Sequence, residues 1–484
     1  MTNLAYVASV PRMRSVPPGL LVFGALAAAI LVGIAAAVDP VLAVAGVLAL
    51  AIVPVVLIRP IVGLAALVLM SFLEEVSAQT GALSVTKLLG AALLASWLAF
   101  VMTSRGERWD GLLAREPLLV ATIVLFVAWA CMSFVWAEAP ELAQNSVQRF
   151  VLNFTLFPIA LVAIRAPRHV ILLVVTFVAG ALIAAAWGIN AGRLGDPEMG
   201  GRLNGAGINP NQLGSYLVVA MVFATALANN RRWSSLARAV ALSAAALAAV
   251  GVFLTLSRGA LVGMAVALLL APFVVGAGRR AGTVVLVLVA VIGVGAWYGA
   301  VAPASAVDRV TKADGGTGRE DLWRVGWRMV EDKPVHGVGA GNFPEAAIHY
   351  LLRPGATDND DFIVDDKKVA HNIYLTVLSE LGVVGLLLFV VLVGLCLRSA
   401  LRAARAFERL GDQTMEMVSR ALFISLVSLL VVGFFSSALY VKQLWFLLAM
   451  APALLALADR ASAARAGRPD DSGLPIEGSR RAAM

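Results

Sequence analysis

A chain of 484 residues that is 60% hydrophobic and only 14% charged is not composed like a water-soluble domain, in which about a quarter of residues carry charge. The net charge of +8 does not signal a nucleic-acid partner, because the basic residues are scattered in ones to fives between apolar runs and form no contiguous stripe. Cys131 and Cys396 both lie inside apolar runs; they give no disulfide framework, and neither has a His or Cys neighbour pointing to metal or redox work.

About twenty apolar residues cross the hydrocarbon core of a bilayer. Segments of that kind fall near 19–38, 40–58, 60–76, 84–103, 118–136, 147–164, 169–190, 211–229, 237–257, 259–278, 281–300, 372–397, 418–437 and 440–458. The third is short, and the pairs 40–58/60–76 and 418–437/440–458 have almost no linker. The expectation is therefore an all-α polytopic membrane protein with twelve to fourteen transmembrane helices. Arg12 and Arg14 precede the first segment, and no small-residue cleavage site leads on to a soluble domain, so that segment reads as a span rather than a removed signal.

Charge divides the chain further. Residues 301–371 hold 21 Asp, Glu, Lys or Arg, and the other 413 residues hold only 47, so one hydrated loop interrupts the apolar sequence. Four regions are expected: a transmembrane bundle with short loops (1–300), a partly helical loop (301–371), C-terminal transmembrane helices (372–458) and a cytoplasmic tail without fixed structure (459–484).

With the N-terminus inside, the cytoplasmic connections carry Arg12/Arg14, Arg59, Arg105/Arg108/Arg115, Arg165/Arg168, Arg231/Arg232/Arg238, Arg279/Arg280, Arg398/Arg402/Arg405/Arg409/Arg420 and the tail from Arg460. The opposite connections around Asp39, Glu74–Ala82 and Ala137–Val147 carry none. Short-loop Lys/Arg bias sets orientation, which puts both termini in the cytoplasm. Three outer elements break the pattern: Arg193 and Arg202 in one loop, Arg258 at a helix junction, and the loop 301–371. An arginine on the translocated side works against the sorting bias. It is either a snorkelling or salt-bridged side chain or a functional one.

The first outer element runs from Gly192 to Gly214 through Arg193, Arg202, Asn204, Asn209-Pro210 and Asn211. Dense glycine lets backbone amides approach a ligand, and Asn209-Pro-Asn211 is turn chemistry with a helix cap. A glycine-rich turn entering a helix N-terminus beside an arginine suits a phosphate or diphosphate; a flexible, capped loop explains the same residues. In the second, Leu254-Thr-Leu-Ser257-Arg258-Gly259, a guanidinium sits at the membrane boundary. That is costly unless it snorkels, meets a lipid headgroup or has an anionic partner such as a lipid-linked diphosphate.

The long loop contains Gly318-Arg319-Glu-Asp-Leu-Trp323-Arg-Val-Gly-Trp327, an amphipathic run expected to lie at the interface with both tryptophans in the headgroup layer. Lys333-Pro334 ends it, Gly337-Val-Gly-Ala-Gly-Asn342-Phe follows, and His371-Asn372 opens the next span. Of the four histidines, His169, His336, His349 and His371, only His371 stands at a helix mouth facing the compartment of Arg202 and Arg258. A histidine there is a cap, an interface residue or a general base, imidazole titrating near neutral pH unaided. Glu380, nine positions on, would point to the opposite helix face and so bond within the bundle rather than orient His371. The run Asp358–Asp361 with Asp365/Asp366 lacks EF-hand spacing and reads as solvated surface. No His/Cys metal spacing and no exposed Ser or Cys nucleophile with a histidine in register is visible.

Taken in order, Ser133-Phe-Val-Trp136-Ala-Glu-Ala-Pro140, Arg202-Leu-Asn-Gly with Asn209-Pro-Asn211, Leu256-Ser-Arg258-Gly, Gly318-Arg319-Glu-Asp-Leu-Trp, Gly337-Val-Gly-Ala-Gly-Asn342-Phe and His371-Asn372-Ile-Tyr-Leu followed by Glu380-Leu-Gly resemble the O-antigen ligase/polymerase superfamily across residues 130–400. The order is more specific than any one motif. The resemblance implies a GT-C-like, all-helical glycosyltransferase of about twelve spans in the bacterial inner membrane, with a periplasmic site and neither metal nor other cofactor. The donor it implies is an undecaprenyl diphosphate-linked O-antigen glycan, and for a ligase the acceptor is a sugar hydroxyl of lipid A–core. Carried over, His371 is the base or orienting group for that hydroxyl, Arg202 and Arg258 bind the donor diphosphate, and Arg319 is a loop arginine of the same site; Asn372, Asn204 and Arg193 support them. A polymerase or a protein O-oligosaccharyltransferase would share motifs and donor and differ in acceptor. A transporter or flippase would place its polar residues near the midplane and repeat between halves, and here the polar load sits at one face.

Overall fold

The computed structural model describes residues 54–73, 85–103, 116–191, 202–205, 207–275, 279–296, 299–300, 319–353 and 368–466. The described residues contain fifteen α-helices: α1 (Pro60–Met70), α2 (Val85–Thr103), α3 (Pro117–Met132), α4 (Pro140–Phe154), α5 (Leu156–Ala163), α6 (Pro167–Asn190), α7 (Pro210–Ala228), α8 (Ser235–Leu254), α9 (Arg258–Val274), α10 (Arg280–Ala296), α11 (Arg319–Asp332), α12 (Phe343–Leu351), α13 (Ile373–Leu410), α14 (Gln413–Val432) and α15 (Lys442–Ala466). They contain no strand. Five of the helices open on proline at the first position, where the missing N–H costs nothing and the fixed φ suits the helix.

The protein is polytopic and all-α. Among the described residues eight helical stretches are long and apolar enough to cross a membrane. Helices α4 and α5 form one of them, broken at Thr155, where the Pro158 ring disfavours a continuous turn. The doubtful pair near 418–458 is two separate spanning stretches, Gln413–Phe435 and Lys442–Arg465, joined through single 3₁₀ turns at Gly433–Phe435 and Ala438–Tyr440. The short third segment forms the 11-residue α1. The segment 19–38, most of 40–58, the glycine-rich stretch 192–201 with Arg193, and the acidic run 358–366 lie outside the described residues. Helix α15 continues to Ala466, past the expected start of the tail at 459.

Helix ends sort the charges. At one end, basic side chains cap the C-termini of neighbouring helices: Arg238 Nε donates to Ala228 O (3.0 Å), Arg460 to Ile164 O (2.7 Å) and Arg420 to Val274 O. Glu416, buried at the start of α14, binds Arg279 (2.9 Å) and Arg420 (2.9 Å), and Arg402 pairs with Glu116 (3.0 Å). Cations at helix C-termini complement the macrodipole. Helix polarity then puts the first turns of α9 and α13, with Arg258 and His371, at the other end. The two groups of arginines separated by the loop-charge pattern thus lie at opposite ends of the bundle.

Between the ends the core is apolar and aromatic. Trp445, 0% exposed, meets Phe154 edge-on at 4.8 Å, and Phe72 meets Phe177 edge-on at 5.0 Å, an arrangement favoured by the ring quadrupoles.

Residues of the long loop form a small second core. Val325, Met329, Val338, Phe343, Ala347 and Leu375 pack α11 and α12 onto the start of α13. Just beyond, α13 is interrupted at Gly382 (φ 66°, ψ −170°), and the loop satisfies the backbone groups freed there. Val338 N–H donates to Ser379 O and Gly339 N–H to Glu380 O (both 2.8 Å), while Val383 N–H donates to Pro334 O (2.9 Å). Trp129 Nε1 donates to Leu381 O (2.8 Å). Asn342 Oδ1 accepts from Ala139 N–H (2.8 Å), and Ser133 Oγ accepts from Ala340 N–H (3.1 Å). The segments 133–140, 337–343 and 380–382 therefore form one clasp, whose role is structural: unpaired backbone groups at membrane depth are tolerated only where protein re-satisfies them.

Candidate active site

The arginine-rich site is built by helix N-termini. Asn209 caps α7 by accepting from Gln212 N–H (3.0 Å), and Ser257 caps α9 by accepting from Ala260 N–H (3.2 Å). The first turns of α7, α9 and α11 all line one cavity of about 340 Å³, through Asn211, through Arg258, Gly259 and Val262, and through Arg319, Glu320 and Trp323. Three positive dipole ends face the same space, the arrangement that favours an anion.

Arg202, Arg258 and Arg319 all line this cavity. Arg202 is held in place: its Nε donates to Thr255 O (3.0 Å) and its Nη2 to Asn211 Oδ1 (2.6 Å). The same Asn211 oxygen accepts from Ser257 Oγ (2.9 Å), tying the arginine to the cap of α9. Leu256, just before that cap, takes a left-handed φ of 47°. Arg258 and Arg319 have no carboxylate at ion-pair distance among the described residues. Burial and the positive charge of Arg258 hold the Arg319 guanidinium below its ordinary pKa, so this end of the bundle strains under its own charge.

His371 stands beside this cavity. Trp323, one turn along α11 from Arg319, donates Nε1–H to the Ala370 carbonyl (2.9 Å) and so fixes the chain immediately before the histidine. Trp323 is a half-buried anchor, and of the two tryptophans expected in the headgroup layer only Trp327 is exposed. His371 adopts φ 50°, a conformation uncommon for a side-chain-bearing residue and found at functional positions. The helix cap is Asn372, whose Oδ1 accepts from Tyr374 and Leu375 N–H (3.0 and 3.1 Å). Its role is to hold the turn that presents His371. Burial, then the charges of Arg319 and Lys368, lower the His371 pKa from its ordinary value near 6.5. Nδ1 of the imidazole lies 3.3 Å from Ser437 Oγ.

The remaining expected residues take other places. Asn204 is buried below the site, its carbonyl pressed against Gly188 so closely that no Cβ would fit there; it supports the backbone next to Arg202. Arg193 lies outside the described residues. Glu380, as its spacing implied, does not reach His371: it accepts from Gly341 N–H and Tyr440 O–H (both 2.8 Å). His336 packs against Trp136, and His349 lies 3.5 Å from Glu138, so both belong to the folded loop. Among the described residues no group of three or more His, Cys, Asp or Glu is placed to hold a metal.

Loop counting missed a second set. Lys87, Arg149 and Lys442 line a larger cavity of about 910 Å³, together with Ala370 and Ser437. Each falls just inside the outer end of an apolar segment (84–103, 147–164 and 440–458), so none was counted with the outer loops. The signal was present, because a cation within the first turn of a span is costly there and marks function. Ser437 was illegible, since its role depends on a contact with His371, far away in sequence.

A family model described as O-antigen ligase matches residues 243–390, a stretch that holds Arg258, Arg319, His371, Asn372 and the clasp from Gly337 to Gly382. No curated protein matches the chain. Arg202 lies outside the matched stretch but in contact with its Thr255 carbonyl. Within an all-helical polytopic membrane protein, residues 243–390 are thus similar to the O-antigen ligase family.

Proposed function

We propose that the protein transfers an O-antigen glycan from undecaprenyl diphosphate to a sugar hydroxyl of lipid A–core, at the periplasmic face of the bacterial inner membrane. The observation that carries this reading is the convergence of Arg202, Arg258 and Arg319, from three separate elements, on one cavity that three helix N-termini also face, with His371 alongside. Guanidinium groups recognise phosphate oxygens in a bidentate fashion without being deprotonated. Fixed in place, they stabilise the charge that grows on the diphosphate as its bond to the anomeric carbon breaks. The acceptor oxygen attacks that carbon from the opposite side, the diphosphate leaves with the bonding pair, and the hydroxyl proton passes to His371. The product is inverted at the anomeric centre. With Nδ1–H donating to Ser437, Nε2 is the basic nitrogen, and the lowered pKa keeps it unprotonated at neutral pH. The arginines supply the charge stabilisation that a metal supplies elsewhere, so the proposed reaction needs no cofactor.

The test is transfer by the purified protein from a lipid-linked glycan to three competing acceptors: lipid A–core, a second lipid-linked glycan and a peptide. Preferential transfer to lipid A–core, undiminished by EDTA, is expected. Arg258→Ala should lower it by about 10²–10³-fold. Preference for the second glycan would make the protein a polymerase, preference for the peptide a protein transferase, and a loss in EDTA restored by Mg²⁺ would contradict the metal-free mechanism.

A further inference from the structure

The cavity around Arg149 and the arginine site both border the turn that carries His371. Arg319, whose charge acts on the histidine, lines the smaller cavity, whereas Ser437, 3.3 Å from the imidazole, and Ala370, next to it in the chain, line the larger one. At about 910 Å³ against about 340 Å³, it has the capacity of a pocket for an extended ligand. Its walls carry side-chain amides and hydroxyls, among them those of Asn145, Gln212 and Ser437. Such groups match sugar hydroxyls rather than acyl chains.

Its charge is uneven. Lys87 (α2), Arg149 (α4) and Lys442 (α15) bring three cations from three helices. The carboxylate in the wall, Glu380, is engaged with Gly341 and Tyr440. Arg149 lies 5.9 Å over the Tyr440 ring and, like Lys87, has no carboxylate partner among the described residues. Both side chains are exposed, so their charges are open to a ligand phosphate, the partner with which they form charge-assisted hydrogen bonds.

We propose that this second cavity binds a phosphate-bearing saccharide whose free hydroxyl it delivers to His371, with Arg149 as the principal phosphate contact. The proposal rests on the glycosyl-transfer reading and names the acceptor's chemistry. Lipid A–core and a lipid-linked glycan both carry that chemistry, and the two are separated by experiment.

The experiment titrates each acceptor against the full-length protein in nanodiscs at saturating donor, before and after phosphatase treatment of lipid A–core, for the native chain and Arg149→Gln. Arg149→Gln should raise the acceptor KM roughly tenfold to a hundredfold, the worth of one charge-assisted hydrogen bond, with the donor KM unchanged. Dephosphorylation should raise the native KM by a similar factor and add little in the variant. Lipid A–core is the occupant when its KM depends on both its phosphate and Arg149; the lipid-linked glycan is the occupant when it alone serves as acceptor and its KM depends on Arg149. A change confined to the donor KM, or a native acceptor KM indifferent to dephosphorylation, overturns the proposal while leaving glycosyl transfer intact; the phosphatase arm decides even if Arg149→Gln does not fold. Transfer to the peptide alone also overturns it. Absence of transfer to any acceptor counts instead against the function itself.

Discussion

Substituting Gly337 by alanine tests whether the glycine segment is a structural clasp on the broken turn of α13. Gly337 has φ 69°, and a Cβ there would overlap the Glu380 backbone carbonyl. The left-handed conformation costs a side-chain-bearing residue about 1–2 kcal/mol. Relieving the overlap pulls Val338 and Gly339 away from Ser379 O and Glu380 O, two bonds of 2.8 Å. Each buried group left unpaired costs about 1–3 kcal/mol, so the total is about 3–8 kcal/mol. Gly394, in the same helix α13, is the control, because nothing lies within 4 Å of a Cβ built there; Gly394→Ala should be neutral or stabilising by up to about 1 kcal/mol. Thermal unfolding in detergent, with limited trypsin cleavage after Arg328, in helix α11, as a local probe, reads both. Gly337→Ala should melt well below Gly394→Ala and be cut faster after Arg328. Equal melting temperatures and equal cleavage would refute the view that the glycine segment is a structural clasp.

Two further outcomes follow from the electrostatics. In the proposed mechanism the neutral imidazole is the active form, and its pKa is lowered by burial, Arg319 and Lys368, so kcat/KM should hold as pH falls through 6.5 and drop only below it; Lys368→Gln removes one depressing charge and should move that acid limb to higher pH, so an unmoved or downward-shifted limb would count against His371 as the base. At the opposite end, Glu416→Ala leaves Arg279 and Arg420 without their buried carboxylate and should destabilise the fold by about 3–5 kcal/mol, measured by thermal unfolding, while donor affinity stays unchanged; a matching loss of donor affinity at full stability would contradict the separation of the two ends.

Much of this was legible in the sequence, because lipid leaves few choices. Apolar runs of span length gave the helices, and loop arginines separated the ends that Arg420 and Arg258 occupy. Asn209 was readable as a cap because capping is local. What failed to show depends on contacts between distant residues. Nothing in the segment from Gly337 to Gly341 announces that its amides pair with the broken turn at Ser379–Gly382, and Trp323 looks like a headgroup anchor until its indole is seen on Ala370. Arg149 stayed hidden because a span-by-span reading assigns a cation two residues inside an apolar segment to that segment rather than to the outer face.

The central claim is that His371 accepts the proton of the attacking hydroxyl while the arginines hold the donor. It is tested most directly by measuring transfer and donor binding together in purified His371→Ala. Transfer should fall by about 10²–10⁴-fold, with affinity for the lipid-linked diphosphate within a factor of about three and native melting behaviour retained. Transfer within about tenfold of the native rate would remove His371 from the mechanism.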